Sequence, residues 1–363
     1  MECLQEWPEL VVPVQALSES GVSAVPDCYV KPLSDRPTGL SSPTGHEPNI
    51  PIIDLSGLSG GAVACRATIQ AVAAACRDWG FFQVVNHGIG PDVIGRVRAA
   101  WRGFFDRPME EKRRYANSPR SYEGYGSRLG VEKGAVLDWG DYYFLHLLPA
   151  EIKSQEKRWP ENPAWCKAAT EEYGREAAKL CGVLTKAMSI GLGLDAEFLG
   201  RAFGGEDEAG ACLRVNYYPK CPQPELTLGL SAHSDPGGLT VLLADERVAG
   251  LQVRKGDSWV TVKPLPGALI VNVGDQIQVL SNATYKSVEH RVVANAAAER
   301  LSLAFFYNPR SDLPLGPARE LVTPDRPPLY QPMTFNEYRL YIRKNGPRGK
   351  QQLKSLSRGQ VTN

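Results

Sequence analysis

No Cys-x-x-Cys pair and no dense cysteine framework occur among the eight cysteines, Cys3, Cys28, Cys65, Cys76, Cys166, Cys181, Cys212 and Cys221. Their scatter argues against a disulfide-stapled fold and reads as reduced thiols in a cytoplasmic setting, with the nucleus open as a second one. No stretch approaches the roughly 20 consecutive apolar residues that span a bilayer, so no membrane partner is expected. The opening Met1-Glu2-Cys3-Leu4-Gln5-Glu6-Trp7-Pro8 is acidic and interrupted by proline, unlike the basic start and apolar run of a secretory signal. Charge of one sign is lacking too: 41 Lys and Arg face 40 Asp and Glu, which leaves no field to gather nucleic acid or an anionic surface. Internal repeats and low-complexity tracts are absent. What is present is 363 residues, 43% of them hydrophobic, enough for a well-buried core in one large domain or two ordinary ones. Small molecules are the expected partners, and no obligate protein partner is evident. Asn282-Ala283-Thr284 matches the glycosylation sequon, a triplet that arises often by chance.

Residues 1–48 are rich in Pro, Ser and Gly and read as an irregular arm that wraps or hangs loose. A short strand is predicted over 49–55 and a helix over 62–79, closed by Gly80. A strand over 81–86 follows, then a helix opened by Pro91 and running to about Asp106. A third helical stretch covers about 164–192, so the region 49–205 reads as mainly helical. From about residue 206 short Val-, Leu-, Ile-, Phe- and Tyr-rich runs recur between Gly, Pro, Asn and Asp. Strands are predicted near 211–218, 227–233, 239–244, 250–254, 258–263, 268–273, 277–281, 287–294 and 300–307. So many closely spaced strands point to a jelly-roll core over 206–315, in a chain that is mainly β with flanking helices. Residues 316–363 add a last helix over about 334–345, packing back on that core.

Two features carry chemistry. His233 and Asp235, in Leu230-Ser231-Ala232-His233-Ser234-Asp235, project from one face if that segment is extended, and His290 offers a third ligand from a strand of its own. Two His and one carboxylate form the facial triad of non-haem iron(II) oxygenases, which leaves three positions open; zinc prefers a closed tetrahedral site richer in sulfur or nitrogen. An His-x-Asp triplet alone also occurs by chance. The second feature is Arg300-Leu301-Ser302, where a guanidinium inside a barrel calls for an anion and matches a carboxylate bidentately. Its bland alternative is an arginine on an exposed edge strand. Arg214, Asn216 and Tyr218 alternate with Leu213, Val215 and Tyr217, giving a further polar strand face, as an ordinary half-exposed strand also would.

Together these residues resemble the plant 2-oxoglutarate- and iron(II)-dependent dioxygenase superfamily from about Ile50 to Arg343. The resemblance is carried by Ile52-Ile53-Asp54-Leu55, Trp79 to Gly88, Asn216-Tyr217-Tyr218-Pro219, His233-Ser234-Asp235, Asn272-Val273-Gly274-Asp275, Ser287 to Arg291 and Arg300-Leu301-Ser302. It implies a cupin-like double-stranded β-helix and iron(II) held by His233, Asp235 and His290. It implies 2-oxoglutarate on Arg300, Ser302, Tyr218 and Asn216, dioxygen as the oxidant and ascorbate as reductant. His87 belongs to the N-terminal signature and reads as structural. Within the superfamily the chain is most similar to the jasmonate-induced oxygenases, through Asp138 to Phe144, Ala211 to Pro222 and Thr334 to Arg343. That likeness implies hydroxylation of jasmonic acid to 12-hydroxyjasmonic acid, a hormone-inactivating step that releases succinate and carbon dioxide.

The same likeness implies that Arg214, Arg339 and Arg343 clamp the substrate carboxylate. Arg339 and Arg343 are four apart, so on a helix they share a face and repel unless an anion lies between them; two solvated cations near a helix C-terminus are the alternative. Phe144, Phe306 and Phe335 are candidates for an apolar wall, or for plain core. Two other functions stay open: a flavonoid oxidase resembling flavonol or anthocyanidin synthases, and a non-catalytic jelly roll that binds a ligand.

Overall fold

Fifteen kilocalories or fewer separate most folded domains from their unfolded chains, so the arrangement of apolar faces decides the architecture. The computed structural model describes residues 6–37, 49–205, 208–345, 349–354 and 356–357, with only the backbone described for 343–345 and 354. Among the described residues, twelve strands build the two main sheets. They are β1 (Ile52–Asp54), β2 (Phe81–Val85), β3 (Gly124–Gly126), β4 (Asp141–Leu148), β5 (Gly210–Tyr218), β6 (Leu230–His233), β7 (Leu239–Leu243), β8 (Leu251–Lys255), β9 (Ser258–Thr261), β10 (Leu269–Val273), β11 (His290–Val292) and β12 (Arg300–Asn308). One sheet runs β1-β2-β10-β7-β12-β5-β4-β3 and the other β6-β11-β8-β9, the paired sheets of a jelly roll. The helices are α1 (Val14–Glu19), α2 (Ala62–Asp78), α3 (Pro91–Phe105), α4 (Met109–Arg113), α5 (Cys166–Gly191), α6 (Phe198–Ala202), α7 (Asp275–Leu280), α8 (Phe335–Asn345) and α9 (Gln351–Lys354). Among the described residues no helix is long and apolar enough to cross a membrane.

From β2 to β4 the large sheet is largely buried on both faces, and the period of two along its strands sorts its side chains. Leu213, Val215 and Tyr217 of β5, with Leu303 and Phe305 of β12, face α3 and α5 in one apolar core that also holds Trp101, Phe104, Tyr173 and Leu184. The alternate residues turn the other way and line a cavity between the sheets. Strand pairing sets them in rungs across β12, β5 and β4: Arg300 opposite Tyr218; Ser302 opposite Asn216, itself opposite Tyr142; Ala304 opposite Arg214, itself opposite Phe144; Phe306 opposite Cys212, itself opposite His146. Successive rungs are two residues, about 6.6 Å, apart.

The helix boundaries follow from the cues in the sequence. Pro91 stands at the first turn of α3, where its missing N–H costs nothing. Gly80 ends the α2 turn at φ +65°, and a Cβ there would strike the Lys286 carbonyl. Several expectations need correction. The run 277–281 is not a strand: residues 277–280 lie in α7, whose six residues are all buried, and Ser281 caps it; a short apolar run cannot be assigned by periodicity when every side is covered. The strands predicted at 227–233 and 287–294 shrink to β6 and β11. The region 49–205 also contains β4, an eight-residue strand; with core on one face and cavity on the other, it shows no apolar and polar alternation. Residues 6–37 are less irregular than expected: they carry α1, and Val14, Val25 and Tyr29 pack on Trp139 and Cys221, while 1–5 and 38–48 lie outside the described residues. Asn282 is fully buried and hydrogen-bonded to Pro327 and Leu329, which rules out its sequon in the folded chain.

Candidate active site

β6 and β11 are antiparallel neighbours with His233 directly opposite His290, and the two imidazole rings lie 4.3 Å apart between centroids. Asp235, just past the end of β6, turns its Oδ1 to within 3.6 Å of His233 Nε2 and 3.7 Å of His290 Nε2. One ligand atom from each of the three lies within 4.8 Å of the others. Both rings are oriented the same way. Nδ1 of His233 meets the Ser231 carbonyl at 2.8 Å and Nδ1 of His290 meets the Val288 carbonyl at 3.2 Å, which leaves each Nε2 lone pair for a metal. Two imidazoles and one carboxylate on one side of a buried point suit a six-coordinate ferrous ion with open positions.

The carboxylate itself is divided in function. Asp235 Oδ2 accepts from Thr240 Oγ1 at 2.5 Å and from Asn272 Nδ2 at 2.8 Å, so Oδ1 alone is turned to the imidazoles. Thr240 and Asn272 are cross-strand partners on β7 and β10. Burial alone would raise the Asp235 pKa, but His290, His233 and Thr240 outweigh it and hold the carboxyl well below the usual range. Burial, with repulsion from His233, pushes His290 down to about 4 and keeps it neutral. For His233 burial acts downward too, yet the Asp235 carboxylate prevails and raises it. A metal must displace any proton there, so occupancy falls on acidification. Replacing Thr240 by Val or Asn272 by Ala frees Oδ2 to rotate; each is expected to weaken metal binding about 10-fold or more, read by titration with redox-inert Mn(II).

Further along the same cavity Arg300 is only 4% exposed. Burial lowers its pKa, Nη1 donates to Ser302 Oγ at 3.1 Å, and its plane lies 5.4 Å from the Tyr218 ring centre. Its Nε has no hydrogen-bond partner, and among the described residues no carboxylate comes within ion-pairing distance. A buried guanidinium in that state is built for an incoming anion. The glycines around it make room: a Cβ on Gly250 would press on Arg300, and one on Gly229 would stand 2.7 Å from Tyr218 Cδ1.

Two rungs away Arg214 stacks over Tyr142 at 4.2 Å, its Nε also buried without a hydrogen-bond partner. Arg339, on α8, donates to Ser311 Oγ at 3.2 Å and lies over Phe335 at 5.0 Å. Both border the cavity, as do Phe144, Phe306 and Phe335. The cavity measures about 290 Å³, and the triad, Arg300, Ser302, Asn216 and Tyr218 share it. Arg343 lies on α8, but its side chain is outside the described residues. His87 is elsewhere: its Nε2 meets the Gly267 carbonyl at 3.1 Å.

Sequence reasoning missed Thr240, gave Asn272 no role, and overlooked Tyr142 and His146, which also line the cavity. The signal for the first two was available, since each is the one polar residue inside an otherwise apolar strand, Leu239–Leu243 and Leu269–Val273.

Residues 209–309 match the family model described as 2OG-Fe(II) oxygenase superfamily, and residues 50–163 match that of the non-haem dioxygenase in morphine synthesis N-terminal region. Jasmonate-induced oxygenase 2 of Arabidopsis thaliana is 58% identical over 354 residues, covering 97% of this chain and 94% of the relative. Flavanone 3-dioxygenase 2 of Oryza sativa subsp. japonica is 42% identical over 325 residues, covering 89% and 92%. A crystal structure of JOX2 in complex with 2OG, Fe and JA superposes with a TM-score of 0.90 at 57% identity, over 97% of this chain and 99% of that one.

Proposed function

Because this chain belongs to the 2OG-Fe(II) oxygenase superfamily and is an iron(II)- and 2-oxoglutarate-dependent dioxygenase, we propose that its organic substrate is jasmonic acid, hydroxylated to 12-hydroxyjasmonic acid. The observation that carries this reading is a single cavity with two separate arginine stations, Arg300 at one level and Arg214 with Arg339 at another, the second set among Phe144, Phe306 and Phe335. A small apolar acid and a dicarboxylate cosubstrate would each find a guanidinium there.

When bound, iron(II) and 2-oxoglutarate supply the oxidation, dividing dioxygen between succinate, formed with carbon dioxide, and the new hydroxyl group, with ascorbate keeping the metal ferrous. The chain's own residues hold and aim. His233, Asp235 and His290 are assigned to the metal. Arg300 and Ser302 take the distal carboxylate of 2-oxoglutarate, with Asn216 and Tyr218 beside it. Arg214, Arg339 and Arg343 take the jasmonate carboxylate, while Phe144, Phe306 and Phe335 exclude water along the pentenyl chain. Fixing one end of the substrate decides which carbon reaches the metal. The consequence for the hormone is inactivation. The seven described cysteines form no disulfide with one another, which supports a reducing cytoplasmic setting.

The test is direct. Purified protein with iron(II), ascorbate and 2-oxoglutarate is given either jasmonic acid or a dihydroflavonol, and products are read by mass spectrometry. Jasmonic acid is expected to gain one oxygen in step with succinate release, and the dihydroflavonol to stay unchanged. Conversion of the dihydroflavonol alone would transfer the reading to flavonoid oxidation, a neutral substrate that leaves the arginine pair idle.

A further inference from the structure

β6, which carries His233, is an edge strand whose only strand neighbour in its sheet, among the described residues, is β11. Edge strands expose unpaired backbone groups and tolerate displacement. Here the open side is closed by the far end of the chain. Gly349 N donates to the Ala232 carbonyl at 3.2 Å and forms a parallel bridge with His233. Gln352, 3% exposed, donates from Nε2 to both the carbonyl and the hydroxyl of Ser234, each at 3.2 Å. Ser234 stands between the two ligands His233 and Asp235. Gly349 has φ +57°, a left-handed backbone conformation that glycine adopts without strain.

A second connection reaches the same segment. Asp275, fully buried at the start of α7, donates its backbone N–H to the Asp235 carbonyl at 2.8 Å. Its Oδ2 accepts from Tyr338 at 2.7 Å and from Gln352 at 3.5 Å. Tyr338 is the residue before Arg339 on α8, and its ring packs with Phe335, Leu353 and Leu356 in a small apolar cluster of its own. Thus the backbone of Ala232, Ser234 and Asp235 is gripped by one connected unit that also bears Arg339.

We propose that the C-terminal segment is a working part of the metal site: Gln352 and Tyr338 are positioning residues that hold the ligand strand, and through them a carboxylate docked on Arg339 tightens metal binding. The second half rests on the carboxylate-clamp reading given above. Coupling of this kind is reciprocal, so metal on the triad also strengthens jasmonate binding.

The experiment measures Mn(II) dissociation constants in the presence of 2-oxoglutarate, with and without jasmonate, for the full chain and for Gln352→Met and Tyr338→Phe. Both substitutions keep the buried volume and remove only hydrogen-bonding groups. Each is expected to raise the Mn(II) constant about 10-fold. Jasmonate is expected to lower it about fivefold or more in the unaltered protein and less than twofold in the variants. Leu184→Ala, in the core on α5, serves as control: it should lower the melting temperature and leave the Mn(II) constant in place. Mn(II) constants within twofold of the unaltered protein in both variants would overturn the tether; a jasmonate effect of unchanged size in them would overturn the coupling. Should Gln352→Met fail to fold, Tyr338→Phe decides alone. Absence of any calorimetric heat with jasmonate would remove the clamp reading and the coupling with it, while the metal comparison still judges the tether.

Discussion

Replacing His233 or Asp235 by alanine should abolish jasmonate-dependent succinate formation, with turnover at least about 100-fold below that of the unaltered protein. The size follows from the donor set. Three side chains supply all the ligand atoms that converge at this point among the described residues, and they do so from a strand pair and the residue just beyond it. Loss of either imidazole or carboxylate leaves two donors, too few to keep ferrous iron in a site that must also leave positions open. The Asp235 variant loses more than a ligand, because Thr240 and Asn272 then face each other across β7 and β10 without their shared acceptor. Circular dichroism and a melting curve establish that the fold survives. Turnover retained above a tenth of the starting rate in a folded variant would remove the iron assignment.

The second large effect separates the two acids. Arg300 is buried, so its replacement by alanine is expected to raise the KM for 2-oxoglutarate by 30-fold or more, in line with the roughly 2 to 5 kcal/mol lost when one partner of a buried charged pair is truncated. Arg339 is half-buried, and its contacts with Ser311 and the Phe335 ring hold it at the cavity wall. Alanine at Arg339 is expected to raise the KM for jasmonate about 10-fold, from the roughly 1.5 to 3 kcal/mol of a charged hydrogen bond. Alanine at Arg339 and Arg343 together should raise it further. In both cases the KM for 2-oxoglutarate should stay within threefold. Steady-state kinetics with each acid varied in turn gives the answer, and equal shifts in both constants would mean that the variant had simply lost its shape.

Much of this site was legible in the sequence, for a physical reason. A strand displays alternate residues on one face, so His233 with Asp235, Arg300 with Ser302, and Arg214 with Asn216 and Tyr218 each declared a shared direction before any pairing was known. What alternation cannot supply is register between strands. The meeting of Thr240 and Asn272 at Asp235, and of Phe144 with Arg214, depends on which residues oppose each other across separate strands. Full burial hides information as well. β4 and α7 were misread because neither has a solvent face to leave a pattern. The contact of Gln352 with Ser234 was illegible for a third reason: the two residues are 118 positions apart, and no local pattern links them.

The rungs of the large sheet have one more implication. Along β5 and β12 the side chains that line the cavity alternate with those that pack in the core against α3 and α5. Selection can therefore rewrite one set of positions while leaving the other intact, and a lineage built on this scaffold can try new acids without first surrendering its ability to fold.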